Sequence, residues 1–191
     1  MLNTPGVIWT DENGTDRYVD LSTRLLRDRI ILLEGEINSE VAASIVAQLR
    51  YLESESNEKP ITMLIQSPGG EINAGYAIVD AMNNLKCPVH TVAMGMTASM
   101  AVTVFINGKK GERTVYKHTE LLVHQPLGGA QGQISDMERN VKHGVKLKDQ
   151  LAKEYSKLTG IELKKMVEMM DRDTILSSDE AVKLGFADKI K

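Results

Sequence analysis

The sequence predicts an α/β domain built on a mainly parallel sheet. From residue 29 onward, short apolar runs alternate with segments in which apolar residues recur every three or four positions. An alternation of strand and helix implies right-handed crossovers and parallel strands in one sheet. The chain has 191 residues, 42% hydrophobic and 26% charged, an ordinary balance for one globular domain.

The first half of this pattern predicts three strands, each followed by a helix. The predicted strands are the apolar runs at residues 29–33, 61–65 and 89–93. The helices that follow them are predicted at residues 39–52, 74–82 and 99–106. Ser39 is the expected N-cap of the first helix, since serine favours that position. Gly95 is expected to end the third strand.

The second half predicts two more strands, a glycine-rich stretch and three helices. The strands are predicted at residues 113–116 and 120–123. The helices are predicted at residues 135–158, at 161–170 and, after a polar turn, from the capping residues 177–180 to 184. Gly185 is expected to stop the last helix.

The first 20 residues are the least patterned part of the chain. A turn signal at residues 11–14 separates the apolar runs 7–9 and 18–19, which favours a hairpin or a mobile loop. A frayed terminus is the alternative. No basic region followed by an apolar stretch opens the chain, so we expect no signal peptide and a cytoplasmic protein.

Composition and motif spacing exclude several classes of function. The net charge is −3, so no broad basic field is expected to hold nucleic acid. No apolar run approaches the roughly 20 residues of a membrane span. The single cysteine, Cys87, fits a reducing compartment. The sequence lacks the histidine and cysteine spacings typical of zinc sites, so we expect no metal. It also lacks the glycine motifs typical of nucleotide sites, and we expect no cofactor.

Ser99 is a candidate nucleophile because it follows a predicted strand and opens a predicted helix. Unpaired N–H groups at a helix start favour negative charge, so a serine there can attack a carbonyl while those groups hold the oxyanion. The spacing differs from the G-x-S-x-G elbow, since Gly95 precedes Ser99 by four positions. Taken alone, the position favours a helix cap over a nucleophile.

His124 is a candidate general base. It ends the predicted strand 120–123 and precedes a Pro/Gly loop, a place where sheet enzymes carry catalytic groups. A hydrogen-bonded histidine at a strand end is the alternative. The turn at residues 67–70 allows a backbone to approach a ligand closely, or is an ordinary turn. Residues 171–173 are a charged run that includes a possible orienting carboxylate, although spacing alone does not select Asp173.

These segments, in this order, resemble the proteolytic subunit of the Clp-type serine peptidases, peptidase family S14. The matching segments are SPGG at 67–70, GMTASM at 95–100, HQPLGGAQG at 124–132 and DRD at 171–173. The resemblance runs from about residue 21 to the C-terminus and implies a crotonase-like fold of repeated ββα units with a protruding handle helix. It implies one peptidase domain over residues 21–191, a handle at about 125–158, and an axial gate formed by residues 1–20.

The resemblance also implies residue roles. Ser99 would be the nucleophile, His124 the general base and Asp173 the carboxylate that orients it. The N–H groups of Gly70 and Met100 would form the oxyanion hole. Contacts between rings would involve Asp171, Arg172, Gln133 and Asp136. The expected activity is a serine endopeptidase core of an ATP-dependent protease that hydrolyses unfolded polypeptides to short peptides through an acyl-enzyme.

The family's assembly is two stacked seven-membered rings, a tetradecamer, served by a hexameric AAA+ unfoldase. The handle would join the rings through one apolar stripe, with packing onto the chain's own body as the alternative. The stripe consists of Ile134, Met137, Val141, Val145, Leu151, Tyr155 and Leu158. Polar residues stand where the unfoldase usually docks on apolar side chains, beside the apolar Tyr51 and Leu64; they are Arg50, Thr62, Asn84 and Thr114. Near the nucleophile, Ala101 replaces the usual glycine.

Two other functions remain open at this level. A weakly active or structural ring subunit of a hetero-oligomeric Clp complex is the first, although all three triad residue types are present. A crotonase-like acyl-CoA enzyme is the second, with the region of Gly70 and Met100 as an oxyanion hole for a thioester. Nothing in that chemistry requires a Ser/His pair.

Overall fold

The computed structural model describes residues 5–10 and 13–191. Residues 1–4 and the first half of the predicted turn, Asp11 and Glu12, lie outside this part. The strands are β1 (Gly6–Thr10), β2 (Asp16–Asp20), β3 (Ile30–Glu34), β4 (Ile61–Ser67), β5 (Val89–Ala98), β6 (Arg113–Val115), β7 (Glu120–Val123), β8 (Thr174–Ser177) and β9 (Lys189–Ile190). The helices are α1 (Leu21–Arg27), α2 (Ser39–Glu55), α3 (Ile72–Asn83), α4 (Met100–Ile106), α5 (Ile134–Thr159), α6 (Leu163–Met170) and α7 (Ser178–Lys183).

A seven-stranded sheet organises the chain and confirms the predicted α/β class. Its main path runs β3-β4-β5-β6-β9, and these neighbours are parallel. β7 is parallel to β5, and β8 is antiparallel to β7. The crossover helices α2 and α3 and the short α4 connect the strands, as the alternation of apolar runs predicts.

Strand β5 continues past Gly95, which the sequence interpretation wrongly took as its end. Its first part pairs with β6, from Thr91 to Ala93, and its last part pairs with β7, from Met96 to Ala98. Gly95 has a φ of 53°, a left-handed conformation that glycine adopts without a steric cost. The glycine therefore lets the strand change partners rather than stop, and β5 leads from the middle of the sheet to Ser99.

The core lies between the inner face of this sheet and its helices. Every residue of α4 is buried, which agrees with a sequence in which Thr103 is the one polar residue. Inner-face residues of β3 and β4, among them Ile31, Leu33, Met63 and Ile65, are fully buried. None of the helices within the described residues combines the length and the apolar character that a membrane span needs.

The N-terminal segment forms a hairpin, one of the alternatives considered for it. β1 and β2 are antiparallel, with Val7 opposite Val19. The guanidinium of Arg27 in α1 lies 4.0 Å from the ring centroid of Trp9, a cation–π contact that ties the hairpin to the first helix. The strands β1 and β2 therefore exclude a frayed segment over the described residues.

Helix α5 extends from the body and is buried only near its C-terminal end. Its buried residues are Leu151, Ala152 and Tyr155. Earlier in the helix, Ile134, Val141 and Val145 are 72%, 59% and 54% exposed. The predicted apolar stripe is thus divided, with one end on the chain's own body and the other uncovered. Residues 124–133, where the resemblance implies a glycine-rich strand of the handle, have no strand partner among the described residues of this one chain.

Two local predictions also need correction. The N-cap of α2 is Asn38 rather than Ser39, because Asn38 has the extended backbone that a cap requires (φ −129°, ψ 178°) and its side chain accepts a hydrogen bond from Val41 N–H at 2.9 Å. The predicted polar turn before α7 is partly strand β8, which pairs with β7. Ser177 and Glu180 form the predicted cap as a complete capping box.

Replacing Asn38 with alanine is expected to lower the free energy of unfolding by about 1 kcal/mol, because Val41 N–H loses its acceptor. Ser39→Ala is the matched control, and it should change stability less, since Ser39 bonds only the exposed Glu71 carboxylate. Urea unfolding at one fixed protein concentration measures both. A larger loss for Ser39→Ala would contradict the assignment of the cap.

Candidate active site

Ser99 stands between the end of β5 and the start of α4 in an uncommon backbone conformation. Its φ and ψ are 55° and −125°, and its N–H donates to the carbonyl oxygen of Leu122 in β7 at 2.8 Å. A non-glycine residue with positive φ costs on the order of 1–3 kcal/mol, and such strain is concentrated at functional sites. Ser99 occupies the N-cap position of α4, as the helix-cap alternative has it, but its side chain forms no capping hydrogen bond, so its hydroxyl is not committed to the helix.

His124 and Asp173 adjoin the last pair of an antiparallel ladder and line the same pocket. In that pair Val123 of β7 is aligned with Thr174 of β8, so the next residues outward are His124 and Asp173. Side chains at such opposed positions are separated by about 5 Å at their Cβ atoms. Both residues line a surface pocket of about 440 Å³. The structure therefore brings a histidine and a carboxylate to one pocket although they lie 49 positions apart in the sequence.

The imidazole of His124 is engaged by its own chain rather than by Asp173. Its Nδ1 lies 2.6 Å from the carbonyl oxygen of Gln125. Gln125 is itself held, because its N–H donates to Met170 O at 2.6 Å and its Nε2 donates to Asp171 O at 2.8 Å. The three candidate residues are thus grouped around β7, while the hydrogen bond from His124 to Asp173 is not formed.

Gly70 and Met100, the residues expected to form the oxyanion hole, lie in two neighbouring backbone turns. An isolated parallel bridge joins Ile37 to Gly70, with bonds from Ile37 N–H to Gly69 O and from Glu71 N–H to Ile37 O, each 2.8 Å. Gly70 lies between these two partners, so its own N–H points to the opposite side. Met100 is the first residue of α4, where an N–H has no acceptor within the helix.

Gly69 lies directly against the turn that carries Ser99 and Met100. A Cβ added at Gly69 would lie 2.6 Å from Ala98 O, 2.7 Å from Ser99 Cβ and 2.8 Å from Met100 N, distances that real Cβ atoms do not show. The turn that carries Gly70 is therefore in direct backbone contact with the turn that carries Ser99. The sequence analysis considered a close approach of this turn to a ligand. The close approach that the structure shows is between Gly69 and the serine turn.

The residues expected at contacts between rings fall into two groups. Asp171 and Arg172 border the pocket of His124, and the Asp171 carboxylate is 3.9 Å from Lys148 Nζ. Gln133 precedes α5, and Asp136 in its first turn lies 3.5 Å from Arg139. All four named contact residues are exposed. Among the described residues, no cluster of three or more histidine, cysteine or acidic side chains could hold a metal ion.

Tyr155 is the residue of this site that the sequence interpretation missed. The spacing placed it in the apolar stripe of α5, but its hydroxyl donates to Ser99 O at 3.4 Å and lies 2.9 Å from Thr103 Oγ1. Burial raises the pKa of the Tyr155 phenol well above its usual value, so the group stays protonated and remains a donor. The sequence does contain one signal for this contact: a tyrosine stands at an otherwise apolar stripe position, and a buried phenol usually has a polar partner.

Comparison with known proteins identifies the family. The family model described as Clp protease matches residues 12–191. The ATP-dependent Clp protease proteolytic subunit 2 of Bacillus licheniformis is 41% identical over 189 residues, which cover 99% of this chain and 100% of that protein. The chain belongs to the Clp protease family.

Membership of the Clp proteases confirms the predicted resemblance, the fold class and the activity. This Clp protease is a serine-type endopeptidase, and the prediction of a proteolytic core of an ATP-dependent protease is confirmed at the level of the family. The alternative of a structural ring subunit is not favoured. The comparisons give no support to an acyl-CoA enzyme.

Gly69→Ala in this Clp protease is expected to lower peptide hydrolysis at least 10-fold, because the added Cβ must displace the backbone at Ser99 and Met100. Gly35→Ala is the matched control: its φ is 72°, so the strain is similar, but nothing lies within 4 Å of the added Cβ. Initial rates per folded protein measure the difference. Equal rates in the two variants would contradict the close contact.

Proposed function

We propose that Ser99, His124 and Asp173 are the catalytic triad and that the N–H groups of Gly70 and Met100 form the oxyanion hole. The observation that carries this proposal is the conformation of Ser99, which is strained, free of a capping bond and hydrogen-bonded to β7 two residues before His124. A nucleophile whose backbone is fixed in this way presents its hydroxyl at a constant position.

In the proposed reaction, His124 removes the proton of the Ser99 hydroxyl as Ser99 Oγ bonds to the carbonyl carbon of the peptide. The negative oxygen of the tetrahedral intermediate accepts hydrogen bonds from Gly70 N–H and Met100 N–H. His124 then gives its proton to the leaving amine, and the C–N bond breaks. Water, activated by the same imidazole, hydrolyses the acyl-enzyme and restores Ser99.

This cycle requires His124 to exchange its partner. The Nδ1 proton now directed at Gln125 O must turn to Asp173, whose carboxylate would fix the tautomer and stabilise the imidazolium. Asp173 is exposed and lines the same pocket as His124, and both residues adjoin the last pair of the β7–β8 ladder, which favours a rotation of the imidazole over a movement of a strand. We therefore expect the active arrangement to differ from the described one mainly at the side chain of His124.

For its assembly, family membership implies an oligomeric ring and association with Clp ATPases. The finer arrangement that we propose is a cytoplasmic tetradecamer of two stacked heptameric rings that encloses unfolded polypeptide substrates. The uncovered apolar side chains of Ile134, Val141 and Val145 favour a role of residues 125–158 as the handle between rings. The β1–β2 hairpin, in the segment 1–20, is the proposed axial gate.

A hexameric AAA+ unfoldase is the proposed partner, although the surface expected to receive it is polar. Arg50 is 52% exposed at its side chain and bonds Glu53 at 3.1 Å, and the amide of Asn84 donates to Asp80 O at 2.8 Å. Tyr51, 49% exposed, keeps an apolar contact surface nearby. Because docking segments need a desolvated apolar pocket, we propose that a second kind of ring or a partner with a polar docking segment completes the complex.

Ser99→Ala is expected to abolish labelling by a fluorophosphonate and to reduce peptide hydrolysis to the level of the blank, because the attacking oxygen is removed. Ser54→Ala, which removes an exposed hydroxyl bonded only to Tyr51 O, is the control and should keep both. Intact mass and native particle mass are measured with the rates. Labelling that persists in the Ser99 variant would disprove its role.

Asp173→Asn is expected to lower kcat by roughly 10³–10⁴-fold with the particle mass unchanged, because the amide cannot hold the imidazole in the required tautomer. Asp179→Asn, in the first turn of α7, is the matched control and should keep full activity. Steady-state kinetics with one fluorogenic peptide compare them. A small effect at Asp173 would assign the orienting role to another group.

A further inference from the structure

Tyr155 connects the C-terminal part of α5 to the serine turn through buried hydroxyl groups. The ring is 3% exposed. A carbonyl oxygen can only accept, so the Tyr155 hydroxyl donates to Ser99 O, at 3.4 Å. Having used its one proton, the phenol oxygen accepts a hydrogen bond from the Thr103 hydroxyl at 2.9 Å. A directed chain of hydrogen bonds therefore runs from Thr103 through Tyr155 to the carbonyl of Ser99.

The direction of the Ser99 carbonyl determines the direction of the Met100 N–H. Ser99 C=O and Met100 N–H belong to one planar trans peptide and point in opposite directions. Any group that fixes the direction of this carbonyl also fixes the direction of the Met100 N–H. Val102 N–H already bonds the same oxygen at 2.9 Å, and Tyr155 approaches it from another element.

The neighbouring residue anchors the helix to the same part of the body. Glu154 receives the hydroxyl of Tyr76 in α3 at 2.8 Å and the side-chain amide of Asn107, at the end of α4, at 2.8 Å. Helix α5 is thereby attached near both ends of α4, at Ser99 through Tyr155 and at Asn107 through Glu154. The exposed part of α5 is N-terminal to this attachment.

We propose that Tyr155 is a positioning residue, which holds the Ser99–Met100 peptide so that the Met100 N–H points at the oxyanion, and which ties that orientation to the placement of the handle helix. The inference rests on the roles proposed for Ser99 and Met100. It predicts an effect in the transition state, where the charge on the oxyanion develops, and little effect on the binding of the substrate.

Tyr155→Phe removes only the hydroxyl and keeps the ring, which meets Phe186 edge to face at 6.0 Å. Because one oxyanion donor is misdirected rather than lost, we expect kcat to fall about 10-fold, with KM changed less than two-fold. A peptide aldehyde, whose adduct with Ser99 places an oxyanion in the hole, should lose affinity by a similar factor. Rates are expressed per site that a fluorophosphonate titrates.

Tyr76→Phe is the matched control, because it removes a phenol hydroxyl from the same attachment of α5 without touching the serine turn. It should leave kcat and aldehyde affinity unchanged. In Tyr155→Phe the Thr103 hydroxyl could turn to Ser99 O in place of the phenol, so the double variant T103V/Y155F closes that route. The double variant should lose at least as much activity as the single variant.

Three results would overturn the positioning role. The first is an unchanged kcat per titrated site in both Tyr155→Phe and the double variant. The second is an equal loss in Tyr76→Phe. The third is a failure of the Tyr155 variants to assemble while Tyr76→Phe assembles, which would assign Tyr155 to folding alone. If the wild-type particle assembled but hydrolysed no peptide, the proposed function would be refuted instead. The role of Tyr155 would then be tested by crystal structures of wild type and Tyr155→Phe, which would show whether the Ser99–Met100 peptide points in the same direction in both.

Discussion

The backbone hydrogen bond from Ser99 N–H to Leu122 O holds the site in place. It joins the turn after β5 to β7 at the point where Ser99 has a φ of 55°. Without it, the strained turn would have one fewer bond to offset its cost, and Ser99 would have no fixed relation to His124, which follows Leu122 on the same strand. Ser99 and His124, the proposed nucleophile and base, are thus positioned by one sheet rather than by two independent loops.

The change of partner along β5 makes that bond available. Its first part lies beside β6, and only the part after Gly95 reaches β7. β7 in turn carries β8 on its other side, which supplies Asp173. A single strand therefore has the serine side of the site on one edge and the carboxylate side on the other, so that a displacement of β7 would move both contacts of the imidazole together.

Helix α5 is buried on the body at its C-terminal end and exposed at its N-terminal end. Its C-terminal part, with Leu151 and Tyr155, is buried on the body, while Ile134 and Val145 remain 72% and 54% exposed. Covering those side chains with a second copy would remove apolar area from water and stabilise the assembly. Since Tyr155 also reaches the serine turn, hydrogen bonds connect the buried part of the same helix to the backbone of Ser99.

Local features of the sequence determined most of the secondary structure: the periodicity of α2 and α3, the apolar runs of β3 and β4, and the capping box of Ser177. These depend on neighbouring residues, which the sequence contains directly. The triad candidates followed from motifs in their order, yet the cap alternative for Ser99 stayed open. Tertiary structure alone decided that the Ser99 side chain makes no capping bond, that Gly95 does not end β5 and that Tyr155 reaches the serine turn, because each depends on which distant strand or helix lies alongside.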